Sequence, residues 1–250
     1  MSELNEKIMK LKGFITESNR IVFFGGAGVS TESGVPDFRS KDGLYNQHDV
    51  RFDMYEPEYL LSHSCLRDHP EVFFEFYRQK MDARSAKPNF AHEYLAKLEA
   101  DGKLIGIVTQ NIDGLHQKAG SKKVFEIHGS TERNYCDRCG KKYPADAIYK
   151  SKEAIPHCNC GGMIRCDVTL YEEQLPEDAV RGAISAIERA DMMIIGGTSL
   201  RVYPAASYIH YFAGKHLVII NKEHLDYRLN ADDDLEINAP IGEVFRRCAE

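Results

Sequence analysis

The chain has no excess of positive charge: 32 lysines and arginines face 38 acidic residues, giving a formal charge of −6 and a pI of about 5.9. That excludes a basic field able to hold a nucleic-acid backbone or an anionic membrane, and it suits a basic partner better. The amino-terminal stretch lacks a continuous apolar core and a cleavage site; Leu4, Ile8, Leu11 and Ile15 instead repeat at the one-face spacing of an amphipathic helix. A cytoplasmic protein without a membrane partner is expected. Seven cysteines are an odd number, which excludes a complete set of intrachain disulfides. Internal sequence repeats are missing too. What remains is ordinary globular material: at 43% hydrophobic and 28% charged, 250 residues suffice for one large or two small domains with ample core.

Apolar runs alternate with amphipathic ones, the signature of a parallel sheet covered on both faces. Strands are predicted at 21–24, 104–108, 124–127, 192–195, 217–220 and 235–237, and helices at 70–84, 90–100, 176–189, 204–213 and 240–249. Several of these helices open on a proline, which suits a first turn. Two stretches break the alternation. Residues 36–90 are helical and loop-rich, and residues 129–167 carry a cysteine cluster, so both are expected as insertions that together form a small domain. The predicted fold is α/β: a doubly wound Rossmann-type sheet from residues 1–35, 91–128 and 168–250, with a smaller inserted zinc-ribbon and helical domain. A cleft between the two domains is the natural place for a second substrate.

Four of the cysteines cluster while Cys65, Cys166 and Cys248 stand apart. Cys136 and Cys139 form a Cys-x-x-Cys turn, and after eighteen residues Cys158 and Cys160 form a Cys-x-Cys turn beside Gly161 and Gly162. This approaches a zinc ribbon, in which two tight thiolate turns complete a tetrahedron. The expectation is one structural zinc with no open position for a reactive water, the alternative being reduced, unligated thiols. His157 is a weaker candidate to replace one cysteine.

Gln110, Asn111, Ile112 and Asp113 follow the apolar run 104–108, and His128 ends a second apolar run fifteen residues after Asp113. Neighbouring parallel strands would aim these amides, this carboxylate and this imidazole into one crevice, where open α/β sheets bind ligands. The first strand runs into Gly25-Gly26-Ala27-Gly28-Val29-Ser30-Thr31, with Gly34 closing the segment. Small residues there let backbone amides approach a pyrophosphate, although a tight structural turn has the same composition. Gly196-Gly197-Thr198-Ser199 and Asn221 stand after two later strands, so three strand ends point at one nucleotide. Hydride transfer fits poorly. The third glycine is late, and no ribose-binding acid follows the first helix.

Taken jointly, Gly26-Ala27-Gly28-Val29-Ser30, Gly34-Val35-Pro36-Asp37-Phe38-Arg39, Thr109-Gln110-Asn111-Ile112-Asp113, His128-Gly129 and the paired cysteines resemble the sirtuins, of bacterial type, over roughly residues 20–250. The resemblance implies a Rossmann-type domain and a zinc-bearing small domain that clamp NAD and an acylated lysine. NAD would be consumed as the acyl group, acetyl by default, leaves the lysine, with nicotinamide and O-acyl-ADP-ribose as products. The partners would be acylated-lysine proteins, and a monomer is the expected state. ADP-ribosyl transfer to protein, or a non-catalytic NAD-sensing module, would use the same pocket.

Roles follow by position. The resemblance makes His128 the general base and Asn111 its companion, orienting the nicotinamide ribose and a water. Asp113 with the Ile112 backbone would hold the carboxamide, although capping of the helix begun at Gly114 is an alternative for Asp113. Phe38 and Arg39 would lie on a mobile loop, shielding the ribose and approaching phosphate. Gly26, Ala27, Gly28, Thr31 and Gln110 would line the ribose and phosphate path; Gly197, Thr198, Ser199 and Asn221 would contact ribose or phosphate, and Ile237 the adenine face. Val168, Thr169, Leu170 and Tyr171 would pair with the substrate backbone, with Val168 and Leu170 on one face. Here the chain departs from the usual pattern: Cys166 replaces proline, Thr169 replaces valine, and Tyr171-Glu172-Glu173 replaces Phe-Gly-Glu. Family members that prefer acidic acyl groups carry Tyr-x-x-Arg, whereas this chain has Tyr77-x-x-Lys80, whose ammonium lacks the guanidinium fork.

Overall fold

Among the described residues, nine strands build two sheets: β1 (Ile21–Gly25), β2 (Leu104–Thr109), β3 (Val124–Glu126), β4 (Gly129–Cys136), β5 (Lys142–Pro144), β6 (Ile164–Val168), β7 (Met192–Gly196), β8 (His216–Asn221) and β9 (Leu235–Asn238). The structure is a computed structural model that describes residues 3–227, 229–230 and 232–250. Positions 1, 2, 228 and 231, all within the span expected for the sheet domain, lie outside the described residues.

The main sheet runs β3-β2-β1-β7-β8-β9 with every pairing parallel. This is the doubly wound order whose strand sequence reverses beside β1. Each of the six predicted strands is present, shifted by a residue or so at its ends. Parallel strands buried on both faces read as unbroken apolar runs, which is why they were visible in sequence. Alternation then sorts their side chains. Phe23 packs into one core with Leu11, Leu95 and Phe245 from the covering helices. Phe24 points the other way, toward Ala183, Ile187 and Ile209.

The helix Phe90–Ala100 starts where Asn89 accepts the Ala91 amide at 2.9 Å while the Asn89 amide donates to His92 Nδ1 at 3.2 Å. This reciprocal cap fixes the helix start behind the site. The predicted helix 70–84 ends sooner, at Lys80. Beyond it Arg84 forms ion pairs with Asp82 and Asp146, turning the chain toward the smaller lobe. Residues 204–213 form a 3-10 helix, Ala205–Tyr211, instead of an α-helix. The Ser207 hydroxyl donates to the Pro204 carbonyl at 2.7 Å, a local bond that competes with the α ladder.

β5, β4 and β6 form the small antiparallel sheet. It shares one core with the helix Pro70–Lys80: Phe73, Phe74 and Tyr77 are buried with Ile148, Ile164 and Cys166. Tyr77 is stacked between Phe73 and Tyr149, at centroid separations of 5.7 and 5.6 Å. Arg78 clamps the helix to the metal-binding loop by donating to the carbonyls of Ile148, Ala154 and Glu153 at 2.8–3.0 Å. No described helix is long and apolar enough to cross a membrane.

Candidate active site and metal centre

The loops after β1 and β7 meet at the strand-order reversal, and they interlock. Gly28 N donates to Gly197 O at 2.8 Å, and a Cβ on Gly28 would stand 2.8 Å from Gly197 Cα. Gly197 has φ +59°, and a Cβ there would approach Val29 N to 2.4 Å. No side chain fits either position, so the two loops pack backbone against backbone only because both residues are glycine. Thr31 Oγ1 donates to Gly28 O at 3.0 Å and steadies the turn. Thr198 is buried and accepts from Gln110 Nε2 at 3.1 Å, tying the β7 loop to the β2 loop. Ser199 is exposed, and Asn221 lies at the end of β8, its amide donating to Glu223 O at 3.1 Å.

The β2 loop carries the polar cluster. Asn111 is buried, and its Nδ2 donates to Ser30 Oγ at 3.0 Å. Ser30 Oγ in turn donates to Asp113 Oδ2 at 2.7 Å, while Asp113 Oδ1 accepts the Leu115 amide at 2.9 Å. The sequence offered a helix cap or a site residue for Asp113; its two oxygens divide between the short helix Leu115–Lys118 and Ser30. The Ile112 carbonyl is taken by the Thr131 amide and hydroxyl at 2.8 and 2.9 Å. Ser30 received no role in sequence, yet it joins Asn111 to Asp113. The available signal was a small hydroxyl residue at a buried turn, which needs partners.

Ala27, Ser30, Phe38, Asn111, Ile112 and Asp113 line one cavity of about 600 Å³, within the usual size of small-molecule sites. The segment 81–90, unassigned in sequence, forms its far wall together with Lys80 and Arg246. His128, Gln110 and the β7 and β8 loop residues lie outside this cavity's lining. Ile237 is not brought to the crevice: its side chain is fully buried in the sheet core with Val218 and Val244. The alternating pattern of β9 turns it inward, so the expected side-chain contact with an adenine is corrected to a packing role.

His128 is half-buried, with Nδ1 3.0 Å from the Gln110 carbonyl, the residue preceding Asn111. A carbonyl only accepts, so Nδ1 carries the proton and Nε2 is left as the basic nitrogen. Burial lowers the His128 pKa below the usual histidine value, and the Gln110 hydrogen bond opposes that shift. The ring is therefore neutral at neutral pH. Deeper in, His92 and His116 pack edge to face at 4.8 Å. Burial pushes His92 down to about 4, against the nearby charge of Asp113, and pushes His116 down to about 3, with His92 adding to the effect. His116 is a packed helix residue.

Along the proposed substrate strand, Val168 and Leu170 are buried and Thr169 and Tyr171 half-exposed, as alternation requires. The Thr169 amide donates to His128 O at 2.9 Å, and the Leu170 amide to Glu173 Oε2 at 3.0 Å. The Glu173 carboxylate also grips Arg165 through both oxygens at 2.8 and 2.9 Å. Arg39 is exposed and lies against Tyr171 and Tyr45.

Cys136, Cys139, Cys158 and Cys160 place their sulfurs within 4.8 Å of one another. Separations of 3.4 Å (Cys136 to Cys160) and 3.7 Å (Cys139 to Cys158) approach the ~3.8 Å edge that ~2.3 Å Zn–S bonds give a tetrahedron. The Tyr143 hydroxyl donates to Cys158 Sγ at 3.0 Å, a bond that favours the thiolate a metal takes. The four cysteines fit a closed structural zinc site. His157 lies apart from it, against Glu153 at 3.3 Å.

A doubly wound nucleotide-type sheet that carries an inserted ribbon with four clustered thiols is the class that fold and site define. Residues 26–204 match the Sir2 family. The chain is 54% identical to the NAD-dependent protein deacetylase of Clostridium acetobutylicum, across 97% of this chain and 98% of that protein. It is 56% identical to the protein of the same name from Clostridium perfringens, across 99% and 100%. Among solved structures, a Sir2 variant with deacetylated p53 peptide and 3'-O-acetyl ADP ribose has a TM-score of 0.85 and 39% identity over 96% of both chains. A Sir2 complex with p53 peptide and NAD+ has a TM-score of 0.81 and 40% identity over 96% of both. This chain belongs to the Sir2 family, the sirtuins.

Proposed function

We propose that this chain removes acetyl groups from protein lysines, consuming NAD and one water and releasing nicotinamide, O-acetyl-ADP-ribose and free lysine. The observation that carries the reading is His128: its Nδ1 is held by the carbonyl of Gln110, the residue before Asn111, which leaves Nε2 of the neutral ring as the base. Bound NAD supplies an anomeric carbon that loses nicotinamide and is captured by the acyl oxygen. Nε2 of His128 takes the proton from a ribose hydroxyl, a role suited to an imidazole that is uncharged at neutral pH. Asn111, with Nδ2 on Ser30, keeps its carbonyl oxygen for the ribose or a water. Asp113 and the Ile112 amide hold the carboxamide, and Ser30 fixes both side chains from behind.

Gly26, Ala27, Gly28, Thr31, Gln110, Gly197, Thr198, Ser199 and Asn221 hold the ribose and phosphates, with Phe38 covering the ribose from the cavity wall and Arg39 approaching phosphate. The acyl-lysine backbone lies along Val168, Thr169, Leu170 and Tyr171, between the sheet domain (1–35, 91–128, 168–250) and the small domain (36–90, 129–167). Related Sir2 structures hold p53 and acetylated peptides, which supports a peptide substrate.

Acetyl stays the default acyl group. Tyr77 is fully buried in its aromatic stack, Arg78 is spent on three carbonyls, and Lys80 reaches Gln47 Oε1 at 3.2 Å, so no Tyr-plus-cation pair receives an acidic acyl chain. We place the protein in the cytoplasm, where its seven unpaired cysteines persist, acting as a monomer.

Replacing His128 by alanine is expected to lower NAD-dependent deacetylation by at least ~10²-fold while ADP-ribose binding stays within about twofold. Product mass spectrometry and calorimetry check both halves; undiminished turnover would remove the assignment. Mass gained by a protein, in place of O-acetyl-ADP-ribose, would turn the reading to ADP-ribosyl transfer.

A further inference from the structure

The Tyr171 hydroxyl is fully engaged. It accepts from Arg39 Nη2 at 2.9 Å and lies 3.0 Å from the Tyr45 hydroxyl. Burial holds Tyr45 above the usual tyrosine range, so that phenol stays neutral and bonds as a hydroxyl. Around this point the Arg39 guanidinium meets three groups: the Tyr171 oxygen, the Tyr45 ring at 5.4 Å and the Glu58 carboxylate at 3.9 Å. Arg39 is absent from the cavity lining, although its neighbour Phe38 is part of it. Phe38 in turn packs on the Tyr45 ring edge to face at 5.4 Å.

The Tyr171 backbone is tied as well. Its amide donates to Leu61 O, and its carbonyl accepts the His63 amide, both at 3.0 Å. One residue therefore belongs to two moving parts: through its backbone to the strand end on which acyl-lysine would lie, through its hydroxyl to the loop that carries Arg39.

We propose that Tyr171 is a positioning residue that couples the peptide strand to the cofactor loop by holding Arg39 against the strand end until peptide occupies 168–171. The inference rests on the roles proposed above for Arg39 and that strand. A peptide that pairs there shifts the strand end, the Tyr171 hydroxyl moves from Arg39, and the guanidinium becomes free to reach phosphate. Linkage makes the effect reciprocal: peptide tightens the nucleotide, and nucleotide tightens the peptide by the same factor. A phenylalanine at this position lacks the tether, so its loop would respond less to peptide.

The test measures the Kd of ADP-ribose by calorimetry with and without saturating acetyl-lysine peptide; ADP-ribose has no nicotinamide to lose, so nothing turns over. In the native chain peptide is expected to tighten ADP-ribose by ~5-fold or more. In Tyr171→Phe, ADP-ribose alone should already bind about as tightly as in the native peptide complex, and the factor should fall to about one. Tyr45→Phe keeps the Tyr171 to Arg39 bond and should keep the native factor. A native factor of one, an unchanged factor in Tyr171→Phe, or equal losses in the two variants would each overturn the coupling role. Failure of peptide or of ADP-ribose to bind at all would instead overturn the roles on which it rests.

Discussion

The six-stranded lobe is held by apolar burial on both faces, Phe23 and Phe24 pointing into separate cores, so each strand is fixed by two layers of helices. The smaller lobe has one shared core and relies besides on stacked aromatics, the Arg78 clamp and four thiolates around a point. The first kind of structure holds Asn111 and Asp113 on the shared Ser30 hydroxyl and His128 on the Gln110 carbonyl. The second kind rests on a few specific contacts, so one change can remove a whole support. The contrast teaches that the two lobes are fixed by different means, with Tyr171 bonded both to Leu61 and His63 and to Arg39.

Removing zinc should break this contrast most strongly. Elemental analysis is expected to find about one zinc per chain, and chelation should abolish the near-ultraviolet dichroism of the small-lobe tyrosines. A loss of several kcal/mol would lower Tm by roughly 10 °C or more in a chain of this size. Metal-free protein with an unchanged melt would mean that the aromatic core holds the lobe by itself.

A matched glycine pair comes next. Gly197→Ala places a Cβ 2.4 Å from Val29 N in the sheet lobe, whereas Gly140→Ala, at φ +69°, meets nothing within 4 Å beside the metal loop. The first should cost more than about 3 kcal/mol and the second about 1 kcal/mol, since only backbone strain remains there. Urea melts of the two variants measure the difference; equal costs would show that the interlock has slack.

Acid should act on the sheet lobe through its buried histidines. His92 and His116 titrate near 4 and 3 in the folded chain but near ~6.5 unfolded, so between those values the unfolded state binds more protons. Stability is therefore full above pH ~6.5 and falls as pH drops, by up to about 1.4 kcal/mol per unit for each histidine, levelling below the folded values. His116→Phe should remove one such contribution; parallel stability profiles at pH 7.5 and 5.5 for variant and native chain would contradict it.

The smallest effect expected is that of Ser30→Ala. It removes the bridge between Asn111 Nδ2 and Asp113 Oδ2 and leaves the Leu115 amide on Asp113 Oδ1, so kcat/KM should fall about 10-fold, equal to ~1.4 kcal/mol, while Tm moves by only a few degrees. Steady-state kinetics decide it.

Much of this was open to reading. The six strands, the glycine loops and the cysteine turns announced themselves because each depends on residue types within a short window: unbroken apolar runs, missing side chains, thiols two or three apart. The short helices Pro57–Leu60, His63–Asp68, Leu115–Lys118 and Asp146–Tyr149 span too few residues to show a period. The helix 70–84 read too long because nothing local marks the partner, Asp146, that pulls Arg84 aside.

Sequence by itself determined that Asn111, Asp113 and His128 stand at strand ends and that four thiols could close on one metal, since chain order and side-chain period fix those facts. Only tertiary structure decided that Ser30 would join Asn111 to Asp113, that Gln110 would leave Nε2 of His128 unprotonated, that Ile237 would turn into the core, and that Tyr171 would reach Arg39. These contacts link residues 18 to 132 positions apart or depend on which face of a strand is covered, and no local pattern carries that information.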